Sequence, residues 1–133
     1  MVSKVIHASG KRKSAVARAT LKRGTGIVHF NNARLEAVND QLLGLRIGEP
    51  LTLIGDRASE FDITIRAAGG GPTGQAEAAR LAIARALVAF DGKFKKLFDS
   101  YDRLLLVADV RRKEQRKPGR KSKARAKTQK SYR

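Results

Sequence analysis

A strand, a glycine-rich loop and a long helix follow one another between residues 61 and 90, and this succession constrains the fold more than any other part of the chain. Phe61, Ile63 and Ile65 alternate with polar residues, which is the period of a strand with one buried face. Residues 75–90 then contain seven alanines in sixteen positions. The apolar stripe at helical spacing consists of Ala76, Ala79, Ile83, Leu87 and Phe90. So many small residues predict a helix that lies close against a sheet.

The loop between this strand and helix, residues 69–74, fits two phosphate-binding patterns in part. Gly69, Gly71 and Gly74 satisfy the G-x-G-x-x-G spacing of dinucleotide-binding folds. That pattern needs an acid at the end of a second strand, whereas Asp91 directly follows the helix, and the Walker pattern needs Lys and Ser or Thr where this chain has Gln and Ala. We therefore predict no cofactor. Two interpretations stay open: the loop binds RNA phosphate at the helix N-terminus, or it is a tight connection without a ligand.

A hairpin is predicted before this unit. Small and apolar residues alternate from Ser14 to Leu21, as in a strand that packs on one face and meets a ligand with the other. Turn residues at 23–26 lead to a short β-rich segment from Ile27 to Phe30, which ends at Asn31-Asn32. We expect the two segments to pair with each other.

Helical patterns fill much of the remaining chain. A helix is predicted from Leu35 to Ile47, with Asn39 or Asp40 as the cap of its second half. A short amphipathic helix is predicted from Lys93 to Ser100, and an apolar strand or extended segment from Leu104 to Val107.

The last 23 residues, 111–133, carry twelve Lys or Arg against one acid, Glu114. Such a segment repels itself and stays extended until a polyanion neutralises it. Fully extended, it spans up to roughly 75 Å, which exceeds the radius of a domain of this size. We therefore divide the chain into a globular domain, residues 1–110, and an extended basic tail, residues 111–133, that reaches into an anionic partner.

The charge of the whole chain points to the same kind of partner. The formal net charge is +17, and the first 35 residues contain no acid. Charge of this sign attracts phosphate whatever the sequence, so nucleic acid is the leading partner; an anionic membrane comes second and lacks the support of a long apolar segment. A cationic turn at residues 10–13 and Arg18 on the following strand offer phosphate contacts on the domain. With two Tyr and five Phe in the chain, base stacking is not the expected mode.

Other functional classes find little support in the composition. The chain has no cysteine, and His7 and His29 alone make a poor ligand set, so no metal site is predicted. No Ser/His/Asp grouping, HExxH motif or pair of catalytic carboxylates is present, so we predict that the chain is not an enzyme. The N-terminal residues lack the pattern of a secretory signal, which predicts a cytosolic location.

Three stretches of the chain resemble, in order and at the right spacing, the family of the universal small-subunit ribosomal protein nine. They are GKRKSAVARATL, IRAAGGGPTGQAEAARLAIARAL and LLLVADVRRKEQRKPGRKSKARAKTQKSYR. The resemblance covers nearly the whole chain. Its ending, residues 129–133, is similar to the archaeal and eukaryotic branch of the family, and the length favours an archaeon. Where the family commonly has Gly-Gly in the middle of the tail, residues 117–121 read Lys-Pro-Gly-Arg-Lys, so the path of the tail departs from the family pattern there.

The resemblance implies a fold and a place of action. The fold is α+β, with a mixed four-stranded sheet, helices packed on one face, a left-handed βαβ crossover and an extended basic C-terminal tail. General rules would have predicted a right-handed crossover, since about 98 per cent have that hand. The implied role is that of a structural constituent of the cytoplasmic small ribosomal subunit, which supports translation. The implied partners are small-subunit rRNA, neighbouring proteins of the subunit head and the anticodon stem-loop of the peptidyl-site tRNA, with no membrane and no small-molecule substrate.

The binding residues follow from the basic clusters and from the matching motifs. The predicted rRNA-binding residues are Lys11, Arg12, Lys13, Arg18, Gly70, Gly71, Gly74, Gln75, Arg111, Arg112, Lys113, Arg116, Lys117, Arg120, Lys121, Lys123, Arg125 and Lys127. The predicted tRNA-contacting residues are Lys130, Ser131, Tyr132 and Arg133. Two alternatives from other classes stay open: a free-standing architectural protein whose tail coats DNA, and a small nucleotide-dependent enzyme that uses the glycine loop.

Overall fold

The protein folds into one mixed sheet with helices beside it; the computed structural model describes residues 4–38, 40–119 and 124–125. The strands are β1 (Ile6–Arg12), β2 (Ala15–Arg23), β3 (Val28–Phe30), β4 (Ala33–Arg34) and β5 (Phe61–Ala68). The α-helices are α1 (Gln41–Ile47), α2 (Glu49–Ile54), α3 (Pro72–Phe90) and α4 (Phe94–Tyr101). Short 3-10 turns occupy Leu35–Ala37, Gly55–Glu60 and Arg103–Leu105. The strand order is β1-β2-β5-β3-β4, in which β3 and β5 are parallel and the other neighbours antiparallel.

The predicted α+β class with a mixed sheet is confirmed, but the described sheet has five strands where four were predicted. The additional strand is β4, two residues long, which pairs with β3 across a two-residue turn at Asn31-Asn32. Both asparagines have positive φ, of 50° and 70°, as a type I′ hairpin turn requires. The chain between the parallel strands β3 and β5 passes through α1 and α2; the left-handed sense of this crossover stays a prediction.

The predicted hairpin between β2 and β3 is wrong, because β5 lies between these two strands. Leu21 of β2 is in register with Ile63 of β5, and Val28 of β3 is in register with the same residue from the other side. The apolar alternation identified the buried faces of β2 and β5 correctly. It carries no information on which strand is the neighbour, since any partner that buries the same face satisfies it.

Helix α3 forms the centre of the core, and the predicted helix at 75–90 is confirmed. Four of the five stripe residues are buried, and the fifth, Phe90, is half-buried and packs edge-on against Phe61 with ring centroids 4.8 Å apart. The helix is buried on several sides because it lies on β1, β2 and β5 and is flanked by α1, α2 and α4. The alanines leave room for this close approach to the sheet.

The outer helical segments confirm two predictions and correct two. The predicted helix at 35–47 is interrupted, since α1 begins only after Asp40, whose side chain accepts the N–H of Leu42 at 3.0 Å as the predicted cap. The other candidate cap, Asn39, lies outside the described residues. The predicted helix at 93–100 is α4. Residues 104–107 begin with a 3-10 turn instead of a strand, because Asp102 accepts the N–H of Leu104 and starts a turn there.

Asp62, on β5, organises the loop between β2 and β3. Its Oδ1 accepts the backbone N–H groups of Thr25, Gly26 and Ile27 at 2.9, 3.1 and 3.0 Å. The N–H of Ile27, followed by those of Thr25 and Gly26, lowers the pKa of the Asp62 carboxyl below its ordinary value. The ionised side chain thereby holds this loop beside β5, to which Ile63 adds a backbone bond by donating its N–H to the Ile27 carbonyl at 3.1 Å.

Replacing Asp62 by alanine is therefore expected to lower the thermal midpoint at pH 7. A carboxyl with a lowered pKa in the folded state stabilises the fold above its unfolded pKa, and this contribution is lost as the pH falls through the lower, folded value. The difference between the wild type and Asp62→Ala should accordingly shrink below about pH 4. Thermal melts between pH 2 and 7 measure it. Asp56→Ala, which removes an exposed carboxyl, is the control; equal melts for both variants at pH 7 would contradict the role of Asp62.

Candidate nucleic-acid interface

The fold brings the cationic turn and the glycine loop together at one end of the sheet. The turn, Lys13-Ser14, joins β1 to β2, and Gly69 lies against it so closely that a Cβ on Gly69 would be 2.5 Å from the Ser14 carbonyl oxygen. Gly69 also has a φ of +78°, which a residue with a side chain rarely adopts. Gln75 Nε2 donates to the Gly69 carbonyl at 3.1 Å and holds the loop from the helix side. The connection from β5 to α3 is therefore tight, and both interpretations of the loop, with and without a phosphate ligand, agree with this geometry.

The same end of the domain exposes groups that can meet an anion. Lys11 and Lys13 are exposed, and neither forms an ion pair with any residue that the structure describes. Helix α3 begins beside them with Gly71 as its N-cap, and no side chain caps its first turn. The first N–H groups of a helix have no partner inside it, so the N–H groups of Thr73 and Gly74 are left for an outside acceptor. Loop and turn together offer positive charge and backbone donors.

Arg12 differs from its two lysine neighbours, because its side chain turns inward and is only 15% exposed. Its Nε donates to Glu77 Oε2 at 2.8 Å, and a terminal nitrogen lies 3.4 Å from the Asp109 carboxylate. A third contact runs from Arg12 to the backbone carbonyl of Arg111 at 3.4 Å. Arg12 therefore ties β1 and α3 to the segment from which the tail leaves.

Further arginines hold the segment at 102–111 across α3. Arg80 Nε lies 2.6 Å from Glu49 Oε2, a close ion pair that is not aligned as a hydrogen bond, and its terminal nitrogen donates to Asp102 at 3.1 Å. Arg85 donates to the carbonyls of Leu106 and Ser9 at 3.2 and 3.0 Å. The cleft of about 300 Å³ in this region is lined by both signs of charge, and its charged residues other than Lys11 are paired within the protein. Its role is structural: it fixes the base of the tail.

Two acids in this segment are held ionised by their contacts. The backbone N–H of Leu104, together with Arg80, lowers the pKa of Asp102. Asp109 accepts from both the side chain and the backbone N–H of Arg111, at 2.7 and 2.9 Å, and these bonds lower its pKa far below the ordinary value. Because Asp109 also faces Arg12, one carboxylate joins the body to the first residue of the tail.

The described part of the tail carries no helix or strand. Every residue from 111 to 119 is exposed. A turn at Pro118-Gly119, with φ +75° at the glycine, lies in the region where the tail departs from the family pattern. Arg125 pairs through two nitrogens with Glu114, so the segment is not fully straight. The predicted residues Arg120, Lys121, Lys123, Lys127, Lys130, Ser131, Tyr132 and Arg133 lie outside the described part.

Arg66 is a basic residue that was not predicted from the sequence, and it lies beside Arg18, which was. Arg18 on β2 is in register with Arg66 on β5, and both are exposed on the face of the sheet that carries no helix. The pattern that could have identified Arg66 was available, since it alternates with the buried Ile63 and Ile65. It was missed because the pairing of β2 with β5 was not predicted.

No cluster of three or more His, Cys, Asp or Glu side chains in the described part of the chain could hold a metal ion. No helix among the described residues has the length and apolar character needed to cross a bilayer.

A small α+β domain with exposed basic groups, followed by an exposed basic segment at 111–119, is typical of proteins that bind nucleic acid. Comparison with known families defines the chain further. The model of the family described as ribosomal protein S9/S16 matches residues 10–133, and the chain belongs to this family. The predicted family is confirmed. The members of this family are ribosomal structural proteins. The predictions that the chain is not an enzyme and that it is a protein of the cytoplasmic ribosome are therefore confirmed as well.

Similar proteins come from archaea, as the ending and the length of the chain together predicted. A small ribosomal subunit protein uS9 from Methanococcus maripaludis is 46% identical over 133 residues, which cover 98% of this chain and 99% of the relative. The uS9 protein of Thermoplasma volcanium is 50% identical over 127 residues, covering 94% and 96%. That of Thermoplasma acidophilum is also 50% identical over 127 residues, covering 94% and 98%.

Proposed function

We propose that this chain is a structural constituent of the small ribosomal subunit, where its domain binds rRNA in the subunit head and its tail reaches the anticodon stem-loop of the peptidyl-site tRNA. The observation that carries the proposal is the segment at 111–119, which has five Lys or Arg, is exposed throughout and leaves a domain that belongs to a ribosomal family. The relatives named above are small-subunit proteins. In this function the protein supports translation as a scaffold.

The basic residues that form no ion pair with a described acid are the ones we assign to rRNA binding, both in the domain and in the tail. On the domain, Lys11 and Lys13 meet rRNA phosphate beside the glycine loop, in which Gly70, Gly71 and Gly74 allow close backbone approach. Gln75 holds that loop. In the tail the exposed residues without an ion pair to any described acid bind along the rRNA backbone: Arg112, Lys113, Arg116 and Lys117.

Three predicted ligands have a second partner inside the protein. Arg12 and Arg111 are joined through Asp109, and Arg125 pairs with Glu114. An exposed ion pair such as that of Arg125 with Glu114 contributes little to stability, so rRNA phosphate can replace the Glu114 carboxylate as the partner of Arg125. Arg12 is the better enclosed of the three, and its contribution is to position the tail at the boundary of the domain near residue 110.

The tip of the tail, residues 130–133, is where we propose the tRNA contact. The Arg133 guanidinium has a planar fork that suits phosphate, and Lys130 adds a further charge. Tyr132 stacks on a ribose or base, or packs against the RNA. Base stacking of this kind is worth about 1 to 3 kcal/mol per base.

Deletion of residues 131–133 tests the tip. We expect the affinity of tRNA for the peptidyl site to fall by about 50-fold or more, because stacking and one charge-assisted contact are lost together. Subunits reconstituted with the deleted chain, with tRNA binding and reading-frame fidelity as the measurements, give the answer. Arg116→Gln removes the same charge farther from the end and serves as the control. Unchanged affinity and fidelity after the deletion would rule out the tRNA role while leaving rRNA binding intact.

A further inference from the structure

No helix among the described residues covers the face of the sheet opposite α3, and this face is basic. Because side chains alternate along a strand, the residues that do not face α3 lie together on this side. Lys11, Arg18, Lys22, Thr64 and Arg66 are exposed there. We call this surface the open sheet face; His7, Ser9, Arg18, Thr20, Thr64 and Arg66 line one groove on it.

Two arginines meet at the middle of the open sheet face without a counter-charge. Arg18 and Arg66 are directly opposite on β2 and β5, and like charges in that position destabilise a sheet. Neither forms an ion pair with an acid among residues 4–38, 40–119 and 124–125. The acid that these strands place on the same side, Asp62, is already bonded to three backbone N–H groups. Because no described acid neutralises the charges of Arg18 and Arg66, this pair is suited to bind an anion from outside the protein.

A row of hydroxyl and imidazole groups lies next to the two arginines. His7, Thr20, Thr64 and His29 are in register across β1, β2, β5 and β3. His7 Nδ1 and Thr20 Oγ1 are 3.2 Å apart, which is within hydrogen-bond distance. Ser9, in register with Arg18, adds another hydroxyl on the arginine row. The face thus combines point charges with neutral donors and acceptors.

We propose that the open sheet face is a second RNA-binding surface, on which Arg18 and Arg66 take backbone phosphate and Thr20 and Thr64 bind ribose 2′-hydroxyl groups. This inference rests on the proposed function and adds a site to it. The phosphate and 2′-hydroxyl pattern is how double-stranded RNA is recognised by shape. Phe61 is buried, and Phe30 is in register with the buried Ile65, so no Phe, Tyr or Trp ring of the described strands offers base stacking on this face.

The experiment compares two double variants of the full chain that remove the same charge from opposite sides of the sheet. Arg18→Gln with Arg66→Gln removes the pair on the open sheet face, and Lys95→Gln with Lys96→Gln removes two exposed charges from α4 in the helix layer. Binding to transcribed small-subunit rRNA is measured over a series of salt concentrations. We expect the arginine variant to lose at least about tenfold in affinity at 150 mM salt and about 2 in the slope of log K against log salt. The lysine variant should stay within about twofold of the wild type.

A second pair of changes tests the hydroxyl contacts. Thr20→Val with Thr64→Val keeps the β-branched shape and removes both hydroxyl groups. We expect this variant to lose preference for an RNA hairpin over a DNA hairpin of the same sequence, with an unchanged salt slope, because only RNA carries the 2′-hydroxyl. Circular dichroism melts of all variants establish that they fold.

The outcomes separate this proposal from the function on which it rests. If the wild type binds rRNA and the arginine and lysine variants weaken it equally, the open sheet face is not a site and the proposal is overturned. If the arginine variant keeps full rRNA affinity but fails to enter the small subunit, the face docks an acidic protein surface, which also overturns it. A wild type that does not bind rRNA would contradict the proposed function itself.

Discussion

Replacing Gly10 by alanine is expected to destabilise the protein by about 3 kcal/mol. Gly10 is buried in β1, where a Cβ would lie 2.2 Å from the carbonyl oxygen of Ala78 and 2.8 Å from the backbone nitrogen of Ala82. Both atoms belong to the backbone of α3, so no flexible side chain can move aside. Either the helix or the edge strand must shift, and the shift disturbs the alanine packing on which the core depends.

Urea unfolding at constant m-value measures this effect. The matched control is Gly92→Ala, since a Cβ on Gly92 meets nothing within 4 Å; we expect it to stay within about 0.5 kcal/mol of the wild type. If Gly10→Ala were as stable as Gly92→Ala, the close contact between β1 and α3 would not exist in solution.

The same contact explains why β1 is not evident from the sequence. The inward positions of a typical strand are filled by Val, Ile or Phe, whereas those of β1 are Ile6, Ala8 and Gly10. Small residues are needed there because α3 lies so close. By contrast, β5 buries Phe61, Ile63 and Ile65, so its period is plain, and the alanine-rich α3 is equally evident. Patterns predict an element when its buried side chains are large or regularly spaced.

The sequence around a residue does not show which distant residue of the chain it will contact in the fold. Arg12 was predicted as an rRNA ligand from its place among Lys11 and Lys13, yet its guanidinium pairs with Glu77, 65 positions away, and with Asp109. The pairing of Arg18 with Arg66 likewise depends on β5 entering the sheet beside β2. Charge counts predict that a surface is basic, but only the topology decides which cations remain free to bind a partner.

Removal of most of the tail should have the largest effect on rRNA binding. Truncation after Arg112 deletes ten of the twelve basic tail residues while it keeps Arg111 and its contacts with Asp109. If each lost charge neutralised one phosphate, the slope of log K against log salt should become shallower by about 7 to 9. Affinity at physiological salt should fall roughly 1,000-fold or more. The measurement is rRNA binding between 50 and 300 mM salt, with the melting midpoint as a check that the domain is intact.

A variant with residues 113–133 shuffled separates the charge of the tail from its order. Counterion release depends on the number of neutralised phosphates, so the shuffled tail should restore most of the salt slope and most of the rRNA affinity. It should not restore tRNA binding at the peptidyl site, because the proposed contact needs Lys130, Tyr132 and Arg133 in their places at the end. A shuffled tail that supports both activities would mean that charge alone suffices. One that restores neither would mean that the rRNA path reads the order of the tail residues, since composition and net charge are identical in the two chains.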